Sequence, residues 1–99
     1  MQIRGVLQSP TLTPAEKRRL KGRAQLIEPV LKVGKNGLTP ALIASVNDAL
    51  EQHELIKIRF VEFKEEKKAL AEEIAAETGS ALVQVVGHVA VFYRPRKGE

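Results

Sequence analysis

Val30-Leu31-Lys32-Val33-Gly34-Lys35-Asn36-Gly37-Leu38-Thr39-Pro40 holds a strand, a turn and a helix start in one short stretch. Val30 to Val33 reads as a short strand, and Gly34 closes it. Thr39-Pro40 is an N-cap followed by proline at the first helical position. The helix it opens carries Leu42, Ile43, Val46, Ala49 and Leu50 on one stripe and runs to about His53.

Toward the N-terminus, Thr13-Pro14-Ala15-Glu16 is a capping box with proline at the first turn, so a helix is expected from Pro14 to about Leu26. Leu20, Ala24 and Ile27 form its apolar stripe. Pro29 ends it. Toward the C-terminus, Leu55 to Val61 alternates Ile56, Ile58 and Phe60 with Lys57 and Arg59, the pattern of a strand with one buried and one wet face. A third helix is expected over about Lys64 to Thr78, with Gly79 as its stop. Ala81 to Val86, a Gly87-His88 turn and Val89 to Tyr93 read as a hairpin.

The order α-β-α-β-α-β-β predicts an α/β fold, because helices that separate strands make crossovers and the last two strands make a hairpin. A four-stranded mixed sheet follows. The wet positions of the Leu55–Val61 strand predict two layers, with helices on one face only and Lys32, Lys57, Arg59 and Gln84 sharing the open face. In the last strand either Val91 and Tyr93 or Ala90 and Phe92 can point inward.

The 99 residues fit one domain, expected to occupy 1–99 with its core at about 12–95. The chain is 43% hydrophobic but only 4% aromatic, so its core is built from Val, Ile, Leu and Ala. There is no cysteine, which excludes disulfides, thiolate catalysis and cysteine-based zinc sites. No apolar run approaches the ~20 residues that span a bilayer, and Met1 to Pro10 has no apolar leader. A soluble cytoplasmic protein is expected.

The net charge is +4, unevenly spread. Residues 1–37 carry eight basic and two acidic side chains, residues 38–79 five and nine, and residues 80–99 three and one. Such a polarised field suits a polyanion bound on one side, although an ordinary solubilising surface has the same composition. The first helix concentrates Lys17, Arg18, Arg19, Lys21 and Arg23 within seven residues, with only Glu16 nearby. Self-repulsion on that scale is relieved by a polyanionic partner.

The loop Gly34-Lys35-Asn36-Gly37 carries the most specific chemistry. Two glycines let the backbone turn and approach a ligand closely, Lys35 adds a charge, and Asn36 adds a donor and an acceptor. A sugar-phosphate backbone fits that set, as it fits the GXXG loop of KH modules. The plain alternative is that the glycines only make the turn. The loop matches neither the longer phosphate-binding loop of nucleotide hydrolases nor the dinucleotide fingerprint. His53 and His88 have no ligand spacing, the serines lack a nucleophile context, and no metal, cofactor or catalytic constellation is indicated.

These motifs resemble those of the CRM domain, the chloroplast RNA splicing and ribosome maturation module, in its stand-alone bacterial YhbY-like form. The likeness runs from about Leu12 to Pro95. It rests on Leu12-Thr13-Pro14-Ala15-Glu16 with Leu20-Lys21, on Val33-Gly34-Lys35-Asn36-Gly37-Leu38-Thr39, on His53-Glu54-Leu55-Ile56-Lys57, and on Val86-Gly87-His88 with Tyr93-Arg94-Pro95. The resemblance implies a fold similar to the C-terminal domain of translation initiation factor three. It also implies RNA contact through Gly34, Lys35, Asn36 and Gly37, and association with ribosomal RNA of large-subunit precursors. With the residue reading, it gives an RNA-binding, non-enzymatic monomer that works in ribosome assembly, with Lys17, Arg18, Lys21, Arg23 and Lys32 as further RNA contacts. The alternative is a protein-interaction module that docks on a ribosomal protein or another partner.

Overall fold

The computed structural model describes residues 10–96. Its elements are α1 (Pro14–Ala24), β1 (Pro29–Val33), α2 (Pro40–His53), β2 (Leu55–Phe60), a 3-10 turn (Lys64–Glu66), α3 (Lys67–Thr78), β3 (Ala81–Val86) and β4 (Val89–Tyr93). The expected order is present. The expectations for Arg4, for Lys97 and for a leader in the first nine residues lie outside the described residues.

The first two helices begin where local chemistry places them. At α1 the Thr13 hydroxyl accepts from the Glu16 amide at 3.1 Å, and the Glu16 carboxylate accepts from the Thr13 amide at 2.8 Å. This is a complete capping box. At α2 the Thr39 hydroxyl accepts from the Leu42 amide at 3.0 Å. The third helix starts later than expected. Phe63 adopts a left-handed backbone (φ 57°, ψ 41°), and Lys64–Glu66 coil as a tight 3-10 turn before the α-helix takes over at Lys67.

The sheet order is β1-β2-β4-β3, with β1 parallel to β2 and β4 antiparallel to both of its neighbours. The β3–β4 hairpin turns at Gly87-His88, where Gly87 takes a positive φ of 59°. One sheet face, with Val33, Ile56, Ile58, Phe60, Ala90 and Phe92, packs beneath Val46 and Leu50 of α2 and Ala71, Ile74 and Ala75 of α3.

The one-sided covering expected from the sequence is corrected here. Leu20 and Ala24 of α1 pack on the opposite face, against Leu55, Val83 and Val91, with Leu12, Ile27 and Tyr93 around them. Helices therefore lie on both faces. The two registers weighed for β4 are both realised: Ala90 and Phe92 are buried under α2 and α3, and Val91 is buried under α1. An apolar run such as Val89–Tyr93 is the pattern of a strand covered on both sides. The α1 covering is partial. Lys32 and Arg59, directly opposite each other in the β1–β2 register, remain exposed on that same face.

Candidate nucleic-acid interface

The GKNG loop begins where β1 leaves the sheet. The Val33 carbonyl accepts from the amides of Val61 (3.0 Å) and Glu62 (3.2 Å), which pins the end of the strand. The Gly34 carbonyl then accepts from the Gly37 amide at 3.0 Å and closes a four-residue turn. Lys35 and Asn36 occupy its centre and are exposed.

The two glycines have different reasons. Gly37 sits at φ +70°, a conformation that L side chains rarely adopt, and the Phe63 ring lies against it: a Cβ there would be 3.6 Å from Phe63 Cε2. Gly34 has no positive φ, and a Cβ on it would meet open space. The fold therefore does not require glycine at 34. A bare backbone at that position does leave room for a group that approaches from outside.

The start of α2 offers few free amides. The Thr39 hydroxyl occupies the Leu42 amide, the Thr39 carbonyl occupies the Ile43 amide, and Pro40 has none. Most of the amides that a helix start leaves free are already taken. The loop and the Lys35 charge must supply most of any anion binding here.

The basic residues sort into two groups. Five are engaged within the fold. The Lys57 ammonium donates to the carbonyls of Ala24 (2.9 Å) and Ile27 (3.1 Å) and so caps the C-terminus of α1. Lys67 lies 3.3 Å from His88 Nδ1, and Lys68 pairs with Glu72 at 3.5 Å. Arg94 donates to Asn47 Oδ1 (2.8 Å) and the Thr78 carbonyl (2.7 Å), which ties α2 to the end of α3. Arg96 donates to the Gln52 carbonyl at 2.6 Å, and its amide to Glu54 Oε2 at 2.9 Å. Arg96 is thus a clasp on α2.

The side chains of Lys17, Arg18, Arg19, Lys21, Arg23, Lys32, Lys35, Arg59 and Lys64 form no hydrogen bond or ion pair with another described residue. Those of α1 all point to solvent. The one acid of that helix, Glu16, is spent on the capping box. Lys32 and Arg59 are register partners on the parallel β1–β2 pair, two exposed like charges side by side on one face.

The fold places the expected site residues on α1, on the open sheet face and in the loop that follows β1. Lys17, Arg18, Lys21 and Arg23 ride on the helix that covers the second face, Lys32 stands on the open part of that face, and Gly34, Lys35, Asn36 and Gly37 follow Lys32 directly. Of the residues expected to share the open face, Lys57 is withdrawn as a helix cap. Arg59 joins the group instead. Its alternation with Lys57 was visible in the sequence, but nothing in that alternation separated the two. Among the described residues no group of three or more His, Cys, Asp or Glu side chains is placed to hold a metal. No helix among them is long and apolar enough to cross a membrane.

The chain also has relatives. An RNA-binding protein of Haemophilus influenzae is 42% identical over 86 residues, covering 86% of this chain and 87% of its own length. YqeI of Bacillus subtilis, described as a probable RNA-binding protein, is 36% identical over 87% of this chain and 91% of its own. The solution structure of SAV1595 from Staphylococcus aureus, described as a candidate RNA-binding protein, superposes with a TM-score of 0.78 at 39% identity, over 89% of this chain and 93% of that one. The CRS1/YhbY (CRM) domain pattern matches residues 12–94, from the residue before the α1 cap to the Arg94 clasp. The chain belongs to the CRS1/YhbY (CRM) domain family.

Proposed function

We propose that this protein binds RNA through one surface made of α1, the Lys32–Arg59 pair and the GKNG loop. The observation that carries the reading is the sorting of cations. Those that the fold uses lie at helix ends and on α3, and those that it leaves unpaired collect, Lys64 apart, on α1, the open sheet face and the loop. A surface that concentrates unpaired positive charge is costly alone and favourable against phosphate. Lys17, Arg18, Arg19, Lys21, Arg23, Lys32, Lys35 and Arg59 make phosphate contacts, and the backbone at Gly34 admits the sugar-phosphate chain. The names of the relatives support RNA as the partner.

The finer role follows the family resemblance: a non-catalytic factor, cytoplasmic and monomeric, that acts on precursor ribosomal RNA of the large subunit. Crosslinking in cells followed by sequencing of the bound RNA tests it. Clustering on large-subunit precursors is the expected result, and scattered recovery refutes the assignment.

Gly34 tests the interface itself. Gly34→Leu should fold as the wild type does, because its Cβ meets open space at an ordinary φ. It should lose roughly ten- to a hundredfold in RNA affinity, the scale of one or two charge-assisted hydrogen bonds. Unchanged affinity in a folded variant removes the loop from the interface.

A further inference from the structure

Phe63 is the exposed aromatic residue of this chain. Of the other three, Phe60 and Phe92 are buried and Tyr93 is half-buried. Phe63 is 39% exposed and holds a left-handed backbone, at φ 57°. That conformation is uncommon for any bulky residue and is more cheaply met by Gly or Asn. Neither burial nor local geometry therefore explains an aromatic ring here.

The position does explain it. The ring edge lies against Gly37, 3.6 Å and 3.8 Å from the point where a Cβ would stand, so it is packed beside the GKNG loop. Gly37 has no side chain between the ring and the turn. Lys35 on the loop and Lys64 next to Phe63 are both without partners among the described residues. The hollow beneath is lined by Val61, Glu62, Phe63, Lys64, Glu65 and Glu66. Its three carboxylates repel phosphate but accept from the exocyclic amines of a neutral base.

We propose that Phe63 is a stacking platform for one unpaired nucleobase of an RNA whose backbone lies on the GKNG loop. The inference rests on the RNA-binding reading above. It specifies the RNA as one with an unpaired nucleotide, since a base inside a duplex has no free face for a ring.

The test compares two RNA hairpins of equal length and charge, one with an ordinary loop and one with abasic loop nucleotides. Each is titrated with the wild type, Phe63→Leu and Phe63→Trp. Phe63→Leu should bind the ordinary hairpin about five- to 150-fold more weakly than the wild type and the abasic one equally well. Phe63→Trp should keep its affinity. Because the chain contains no other tryptophan, its fluorescence should be quenched by the ordinary hairpin alone. Equal losses on both hairpins would reduce the ring to a prop for Gly37 and overturn the proposal, as would no loss on either. If Phe63→Leu does not fold, the quenching of Phe63→Trp decides alone: quenching equal with both hairpins, or absent with both, overturns the proposal. A wild type that binds neither hairpin refutes the RNA reading itself and this inference with it.

Discussion

Unpaired and engaged cations should differ in how they change the salt dependence of RNA binding. Each phosphate that a protein neutralises releases condensed counterions, and the slope of log K against log salt falls by about 0.9 per contact on a duplex. Lys17, Arg18, Lys21 and Arg23 are exposed on α1 and bound to nothing within the described residues. Replacing all four with Gln should flatten the slope by up to about 3.6 if each meets a phosphate. Between 50 and 200 mM salt, one contact is worth ~3.5-fold in affinity and four are worth ~150-fold, so the gap between wild type and variant should narrow by that factor. The control is Lys67→Gln with Lys68→Gln, which removes two cations from α3 that already have partners in His88 and Glu72. Its slope should stay near that of the wild type, because only a cation that contacts a phosphate contributes to the slope. Fluorescence anisotropy on a labelled RNA hairpin at four or five salt concentrations measures both. A slope unchanged in the α1 variant, or a control that changes equally per charge, refutes the assignment of phosphate contacts to α1.

Three further outcomes follow from the geometry. Gly37→Ala should cost about 1–2 kcal/mol in urea denaturation, the penalty for a left-handed non-glycine residue, whereas Gly34→Ala should cost nearly nothing. Lys57→Met should cost about 2 kcal/mol by the same measurement, because it leaves the Ala24 and Ile27 carbonyls without their charged donor. Partial desolvation and the Lys67 and Lys64 ammonium groups hold the His88 imidazole below its ordinary value of 6.5, so the folded state takes up that proton less readily than the unfolded chain. The associated stability is complete above the unfolded value and is lost as pH falls through the folded one; an NMR titration of His88 should find its midpoint below 6.5, and Lys67→Met should raise it.

What was legible in the sequence was local. The Thr13–Glu16 box, the Thr39-Pro40 start and the Gly87-His88 turn each specify their geometry within a few residues, and all three form as expected. The contacts that decide the second face are not local. Lys57 and Arg59 occupy equivalent positions of an alternating strand, yet one ammonium reaches the carbonyl of Ala24, 33 residues earlier, and the other side chain is left in solvent. Alternation reports which way a side chain points and not what it meets there. In the sequence Arg94 and Arg96 are only cations near the C-terminus, with no partner in sight. Their partners, Asn47, Thr78 and Gln52, are distant in sequence, and only the closed fold brings those acceptors within reach. Local pattern also had no means of separating Gly37, which the backbone requires, from Gly34, which it does not.

The correction to the second face bears directly on function. An eleven-residue helix is marginal alone, and α1 is further weakened by five cations against one acid. Only Leu20 and Ala24 are buried from it, with Leu20 worth about 1.5–3 kcal/mol. A sixth cation brought against this helix would normally weaken it further. Lys57 approaches at the carbonyl end, where the helix dipole is negative and a positive charge is welcome. One residue that holds α1 down therefore belongs to β2, and two positions further along β2 stands Arg59, opposite Lys32, itself two residues before Gly34. Cation pair and loop thus stand on β1 and β2, and the helix packs on the same sheet, against β2, β3 and β4. Their spacing is set before any ligand arrives. A polyanion that engages all three pays little to order the protein, so its affinity depends on how well its own phosphates match that spacing. A structured RNA with fixed phosphate positions meets that demand better than a chain that must itself be ordered.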